Sequence, residues 1–151
     1  MADEKKTVQL TQNEVLALLQ EEQRKLEALE REFMQYRFAF EETMKARESL
    51  NAIKKAKANE SIMIPLGAGV LVSATIADTE SVQTTIAGGV LKKDSIPNAL
   101  AKLENRKKEA EEHMNRLQKQ LEETSANVQN LSTVIQNAMQ SQNARAATKT
   151  A

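Results

Sequence analysis

The chain has 151 residues, enough for one ordinary domain, yet only 3% of them are aromatic and none is tryptophan or cysteine. That composition argues against a large globular core and excludes a disulfide framework or a thiolate metal site. Basic and acidic residues balance at 21 each, and the resulting zero net charge offers no long-range pull toward nucleic acid or an anionic membrane.

The opening stretch, residues 1–10, mixes charges with scattered apolar residues and lacks the charged-then-apolar order of a secretion signal. It reads as a flexible lead-in, and the cytoplasm is the simplest expected location. Thr11 and Glu14 in TQNE then form a capping box, with Leu10 and Val15 placed as a hydrophobic staple over it. A coiled-coil helix is therefore expected over residues 11–57. A 3,4 spacing runs through Val15, Leu19, Leu26, Leu29, Phe33, Tyr36, Phe40 and Leu50, interrupted by Gln12, Glu22, Thr43, Arg47 and Lys54.

The centre, residues 58–94, changes character. Four short strands are expected at Ile62–Leu66, Val70–Ala77, Ser81–Ala87 and Val90–Lys93, separated by the turn signals GAG, DTE and GG. Alternation places Val70, Val72, Ala74 and Ile76 on one face, and Val82, Thr84 and Ile86 on one face of the following strand. The stretch Ser61–Ala77 is uncharged, but Pro65, Gly67 and Gly69 interrupt it, and it falls short of the about 20 residues that span a bilayer. Four strands this short bury little and leave open edges. The segment is expected to join an oligomeric β-barrel or to pair with partner subunits. Ile62, Ile64, Leu66, Val70 and Val72 are its first oligomerisation candidates, followed by Ile76, Val82, Ile86 and Val90.

A second coiled-coil helix is expected over residues 95–143, starting near Asp94 or Ser95, with Pro97 tolerated in the first turn because its missing N–H has no intrahelical partner there. Its seam is cleaner: Leu100, Leu103, Ala110, Met114, Leu117, Leu121, Val128, Leu131, Ile135 and Ala138 keep the 3,4 spacing, with Lys107 and Thr124 as exceptions. That regularity favours a left-handed coiled coil. Each helix runs for roughly 47 residues, or roughly 70 Å, and the matched lengths suggest an antiparallel fold-back with Leu19 and Leu26 near the Val128–Ile135 end. The polar tail, residues 144–151, is expected to be disordered. The fold class is α+β dominated by helix: a long antiparallel coiled-coil hairpin with a central double β-hairpin.

The stretch SIMIPLGAGVLVSATIADTESVQTTIAGGVLKKDSIPNAL, residues 61–100, together with the flanking helices, resembles the alpha-type prefoldin subunit of archaea. Its most specific parts are I-x-I-P-L-G-A-G leading into a strand and G-G-V-x-x-K-K running into the helix. The resemblance implies a hexamer of two alpha-type and four beta-type subunits, a shared β-barrel platform, and coiled coils hanging from it. It implies an ATP-independent chaperone that grips non-native client proteins at the coiled-coil tips and passes them to a group II chaperonin. It implies no cofactor, no nucleic-acid partner and no membrane partner. A filament-forming relative of the same family assembles from alpha-like chains alone.

The tips correspond to the start of the first helix and the end of the second. Thr124–Ala144 holds no charged residue. Val128, Leu131 and Ile135 fit the seam, whereas Val134 and Met139 fall beside it, as Leu16 and Leu18 do on the first helix. With Leu10, Val15 and Leu19 these are the candidates for client contact; the plainer alternative is that they widen the packed stripe. Flexible methionine suits promiscuous contact.

Other features read plainly. The glycines of GAG and GG are hairpin or bulge glycines, since the first pair leads into a strand and not into the helix N-terminus of a phosphate loop. His113, among Glu111, Glu112 and Arg116, is expected to be a solvated surface residue. No nucleophile–base pair, paired carboxylates or cofactor loop points to an enzyme. The competing reading is a self-assembling coiled-coil spacer or filament.

Overall fold

The computed structural model describes the backbone of residues 11–149 and the side chains of residues 11–141. Leu10, the rest of the lead-in and residues 150–151 of the tail lie outside the described residues. The elements run α1 (Gln12–Lys55), β1 (Ser61–Gly67), β2 (Val70–Thr75), β3 (Ser81–Thr85), β4 (Leu91–Ser95) and α2 (Ile96–Lys149).

The capping box forms as its residues dictate. The Thr11 backbone N–H donates to Glu14 Oε2 at 2.6 Å, and the Glu14 N–H points back at Thr11 Oγ1 at 3.4 Å. The Thr11 N–H, followed by its hydroxyl, holds the Glu14 carboxyl below its ordinary pKa. At its other end α1 stops two residues before the expected Lys57. Asn59 turns there with φ 65°, and the Lys57 N–H donates to Glu60 Oε2 at 2.9 Å, which steers the chain into β1.

β1 and β2 pair antiparallel, with Ile62 opposite Ala74, Ile64 opposite Val72 and an irregularity between Pro65 and Gly67. Ala68 (φ 49°) and Gly69 (φ 79°) close the turn at positive φ, as the tightest hairpin loops require. β2 ends at Thr75 and not at Ala77. The next residue, Ile76, exchanges backbone bonds with the chain before β1, donating to the Glu60 carbonyl at 2.9 Å and accepting from the Asn59 N–H at 2.8 Å. Ile76 is also buried.

The Asp78 carboxylate then caps the link between the hairpins. It accepts from the backbone N–H groups of Glu80 (2.8 Å) and Ser81 (3.2 Å) and from the Ser81 hydroxyl. The hydroxyl bond first, then the two N–H groups, hold its carboxyl below the usual range.

β3 and β4 form the second antiparallel pair, with Val82 opposite Asp94 and Thr84 opposite Lys92. Ile86 and Val90, expected inside strands, belong instead to the connection: the Ile86 N–H donates to the Val90 carbonyl at 2.8 Å. Between them Ala87–Gly89 makes one tight turn with Gly88 at φ 79°. The two hairpins are separate two-stranded sheets.

α2 begins one residue past Ser95, whose Oγ accepts the Asn98 N–H at 3.3 Å, and Pro97 lies in the first turn. It does not stop near Asn143: helical backbone continues to Lys149, through the tail expected to lack structure. The sequence there contains no glycine or proline, and alanine, glutamine and arginine are good helix formers.

The described residues fall into two compact units, one of residues 11–35 with 114–149, the other Tyr36–His113. In the second, the helix segments run antiparallel. The Tyr36 and His113 rings stack at 4.5 Å with planes 5° apart. Further along, Arg47 pairs with Glu104 at 3.2 Å. Ile76, Ile96, Ala99 and Ala110 are buried there. In the first unit Val15, Leu117, Thr124 and Ile135 are buried, and Asn127 Nδ2 donates to Glu22 Oε2 at 3.2 Å.

Every expected seam position of α2 is buried or half-buried. So are those of α1, except that Gln12 is exposed and the half-buried Ile53 stands where Lys54 was expected. Leu26 shares a crevice with Leu121 and Ser125, earlier along α2 than the Val128–Ile135 region expected for it.

Ile96 is only 1% exposed and joins the hairpins to α2, its N–H donating to the Glu80 carbonyl at 3.0 Å. Ile96→Ala is expected to destabilise the protein by about 2–5 kcal/mol, read as a lower midpoint in chemical denaturation followed by circular dichroism. Phe38→Ala, at a side chain 62% exposed, is expected to stay within about 0.5 kcal/mol of the parent. Equal effects would show that the core does not lie where the burial places it.

Candidate assembly and tip surfaces

Within Tyr36–His113 the chemistry of interest is apolar surface left open. Pairing Ile62 with Ala74 and Ile64 with Val72 puts these residues on one face of the first hairpin, and Met63, Pro65 and Leu71 on the other. Ile64, Leu66, Val70 and Val72 are exposed, and so are Met63 and Leu71. Toward its turn, both faces of this hairpin are therefore apolar and exposed, beyond the scattered apolar exposure normal for a protein surface, while Ile62 and Ala74 at its base are half-buried. Ile86, Val90 and Leu91 add exposed apolar surface on the second hairpin.

The remaining oligomerisation candidates are placed differently. Ile76 is buried in its own chain, and Ile62 and Val82 are half-buried. Val82, Thr84 and Ile86 border a groove of about 1040 Å³ together with Ala46, Leu50, Ala99 and Leu103, with Lys102 and Arg106 beside it. Lys102 is anchored by Asp94, and this bond holds the Asp94 carboxyl below its ordinary pKa. His113 is half-buried against Tyr36 and not a solvated surface residue. The stacking shields one ring face from solvent.

In the other unit the tip candidates divide by burial. Val15 and Ile135 are buried in the seam and so serve the packing, while Leu19, Val128 and Leu131 are half-buried beside them. Leu16, Leu18, Val134 and Met139 are exposed. These four are the apolar side chains that the described tip presents to solvent, and Leu10 lies outside the described residues.

Sequence reasoning passed over Met63 and Leu71, because alternation was followed along one face of the hairpin only. It also passed over Met34 and Phe38, both exposed on α1; their position off the 3,4 seam was the signal that marked them. Among the described residues no helix is long and apolar enough to cross a membrane, and no group of three or more acidic, histidine or cysteine side chains is placed to hold a metal ion.

Two long helices bracketing two open antiparallel hairpins define a class of coiled-coil protein also seen in solved structures. The filamentous PFD of Methanocaldococcus jannaschii, solved by cryo-EM, superposes with a TM-score of 0.62 at 15% identity, covering 76% of this chain and 95% of that one. The prefoldin beta subunit of Thermococcus strain KS-1 superposes with a TM-score of 0.56 at 17% identity, covering 84% and 90%. At such identities the likeness concerns the fold.

The sequence goes further, because residues 22–141 match the prefoldin subunit family. Two curated relatives, both named prefoldin subunit alpha, are similar. That of Methanopyrus kandleri is 31% identical over 70 residues, which is 46% of this chain and 45% of the relative. That of Methanococcoides burtonii is 28% identical over 95 residues, 63% of this chain and 69% of the relative. The match thus spans under half the length of the first of them. The chain belongs to the prefoldin family, and the curated relatives it resembles are both alpha subunits.

Proposed function

We propose that this chain is a subunit of a hexameric, ATP-independent holdase chaperone of the cytoplasm, built with beta-type partners. In this reading strands of the subunits close a shared barrel through Ile64, Leu66, Val70 and Val72. The exposed tip residues Leu16, Leu18, Val134 and Met139 touch non-native clients, with the half-buried Leu19, Val128 and Leu131 as their packed support. Captured clients are handed to a group II chaperonin, and the chain performs no catalysis.

The observation that carries the reading is the first hairpin, apolar and exposed on both faces toward its turn. Unpaired strand edges and uncovered apolar faces invite further strands. Several weak tips brought together on one platform gain avidity through effective concentration, so capture needs no deep pocket.

The test is native mass spectrometry of the chain co-expressed with candidate partners from its own source. The expected result is a discrete six-chain complex containing two copies of this subunit. A homopolymer that ignores every partner would favour a second reading, a self-assembling filament or spacer. That alternative is supported by the fold's likeness to the filamentous PFD of Methanocaldococcus jannaschii.

A further inference from the structure

The surface chemistry of α2 changes abruptly along its length. From Lys102 to Glu123 the helix is dense with lysine, arginine and glutamate; from Thr124 to Ser141 no charge occurs, and asparagine, glutamine and serine take the outward positions. Helix formation does not ask for this. Glutamate, lysine and glutamine are comparable helix formers and asparagine is worse, and charged i,i+4 pairs would have added stability.

The outward amides are ordered around the exposed apolar residues. Asn130, Val134, Asn137 and Ser141 are all exposed and follow a 4,3,4 spacing, which lines them up along one flank of the helix. Gln136 precedes Met139 by three residues on the opposite flank and Gln140 follows it, all three exposed. Thus Val134 lies between two amides one turn away on either side, and Met139 has Gln136 one turn before it.

These amides are also free. Asn127 spends its side-chain N–H on Glu22, but the side chains of Asn130, Gln136, Asn137 and Gln140 make no hydrogen bond among the described residues. A primary amide offers donor and acceptor together. An unfolded segment offers the same pair at each residue other than proline, an N–H and a C=O that have only water as partners until it folds. A carboxylate could serve only the N–H, an ammonium only the C=O, and each would repel clients of its own sign.

We propose, on the premise that the tip captures clients, that the end of α2 recognises main chain as well as side chain. Val134 and Met139 contact apolar groups, while Asn130, Gln136, Asn137 and Gln140 bond the unpaired backbone of an extended, uncharged segment of a non-native polypeptide. The absence of charge from Thr124 to Ser141 is what selects that occupant: neither bound segment nor helix surrenders a hydrated ion when they meet.

The experiment uses the assembled complex and two fluorescent probes: a capped, uncharged peptide of valine, serine and threonine, and the same peptide N-methylated at alternate residues. N-methylation removes backbone donors and keeps the side chains. Anisotropy titration is expected to show the methylated probe binding about 10-fold more weakly to the parent complex, the sum of a few modest hydrogen bonds. The variant N130A/Q136A/N137A/Q140A is expected to bind both probes alike and weakly, with its helix content unchanged by circular dichroism. V134A/M139A is expected to weaken both probes by one common factor and to leave their ratio intact.

Equal binding of the two probes by the parent complex, or an unchanged probe ratio in the amide variant, overturns the main-chain inference. If V134A/M139A still weakens both probes in that event, capture at the tip stands without it. If V134A/M139A binds both probes like the parent, capture at this tip is itself wrong, and the main-chain inference falls with it.

Discussion

A complex built with the double variant Ile64→Lys, Val72→Lys is expected not to assemble. The two residues are directly opposed across β1 and β2, and both are exposed in the isolated chain. Two ammonium groups face to face there would repel each other and stay hydrated, so the hairpin tolerates them only while its face remains wet. Covering that face with another subunit would bury an uncompensated charge at about 3–5 kcal/mol each, a loss of at least about 100-fold in affinity. The helices should be untouched, because Ile64 and Val72 lie on the hairpin with their side chains exposed and outside the buried core. Native mass and helix content measured together give the answer. Intact assembly in the double variant would remove the first hairpin from the interface.

Deleting residues 1–19 together with 128–151 is expected to abolish aggregation suppression and leave assembly intact. The cut takes Val15, Leu19, Val128, Leu131 and Ile135 from the two helices together, so it strands no half-seam without its partner. Leu26, Leu117 and Thr124 remain to pack what is left, and the contact from Asn127 to Glu22 survives. Light scattering from a chemically denatured client, with and without the truncated complex, reads the outcome. Suppression equal to that of the full complex would sink the assignment of activity to the tips.

How much of this was legible beforehand depended on whether a property repeats along the chain. The helix seams were legible because a 3,4 spacing sustained over ten positions leaves little freedom in which face is buried. They blurred at the two ends of α1: Gln12 is exposed at its start, and at its end Ile53 and Lys54 compete for one position and burial of the apolar one wins. The capping box was legible because it is local: Thr11 and Glu14 need only each other.

The hairpin register was less so. Ile86 and Val90 have strand-forming side chains, yet a single backbone bond between them, with Gly88 turned to positive φ, makes them the neck of a loop. Propensity yields there to turn geometry. Ile76 was assigned an outward role because alternation continued through it; the two bonds it exchanges with Asn59 and Glu60 could not be read from spacing. At the tip the 3,4 spacing separated Val128, Leu131 and Ile135 in the seam from Leu16, Leu18, Val134 and Met139 beside it, and burial divides them the same way, because the 100° that one helical residue turns is enough to part Val134 from Ile135.

The stack of Tyr36 on His113 has a practical use. The chain holds one tyrosine, one histidine and no tryptophan. Its ultraviolet fluorescence therefore comes chiefly from one ring, fixed where α1 meets α2, and the imidazole proton signals in a magnetic resonance spectrum come from the ring facing it. The molecule thus carries a matched optical and magnetic probe at a single known point of the helix pair. Separation of the two rings as the chain unfolds can be followed there without attaching a label.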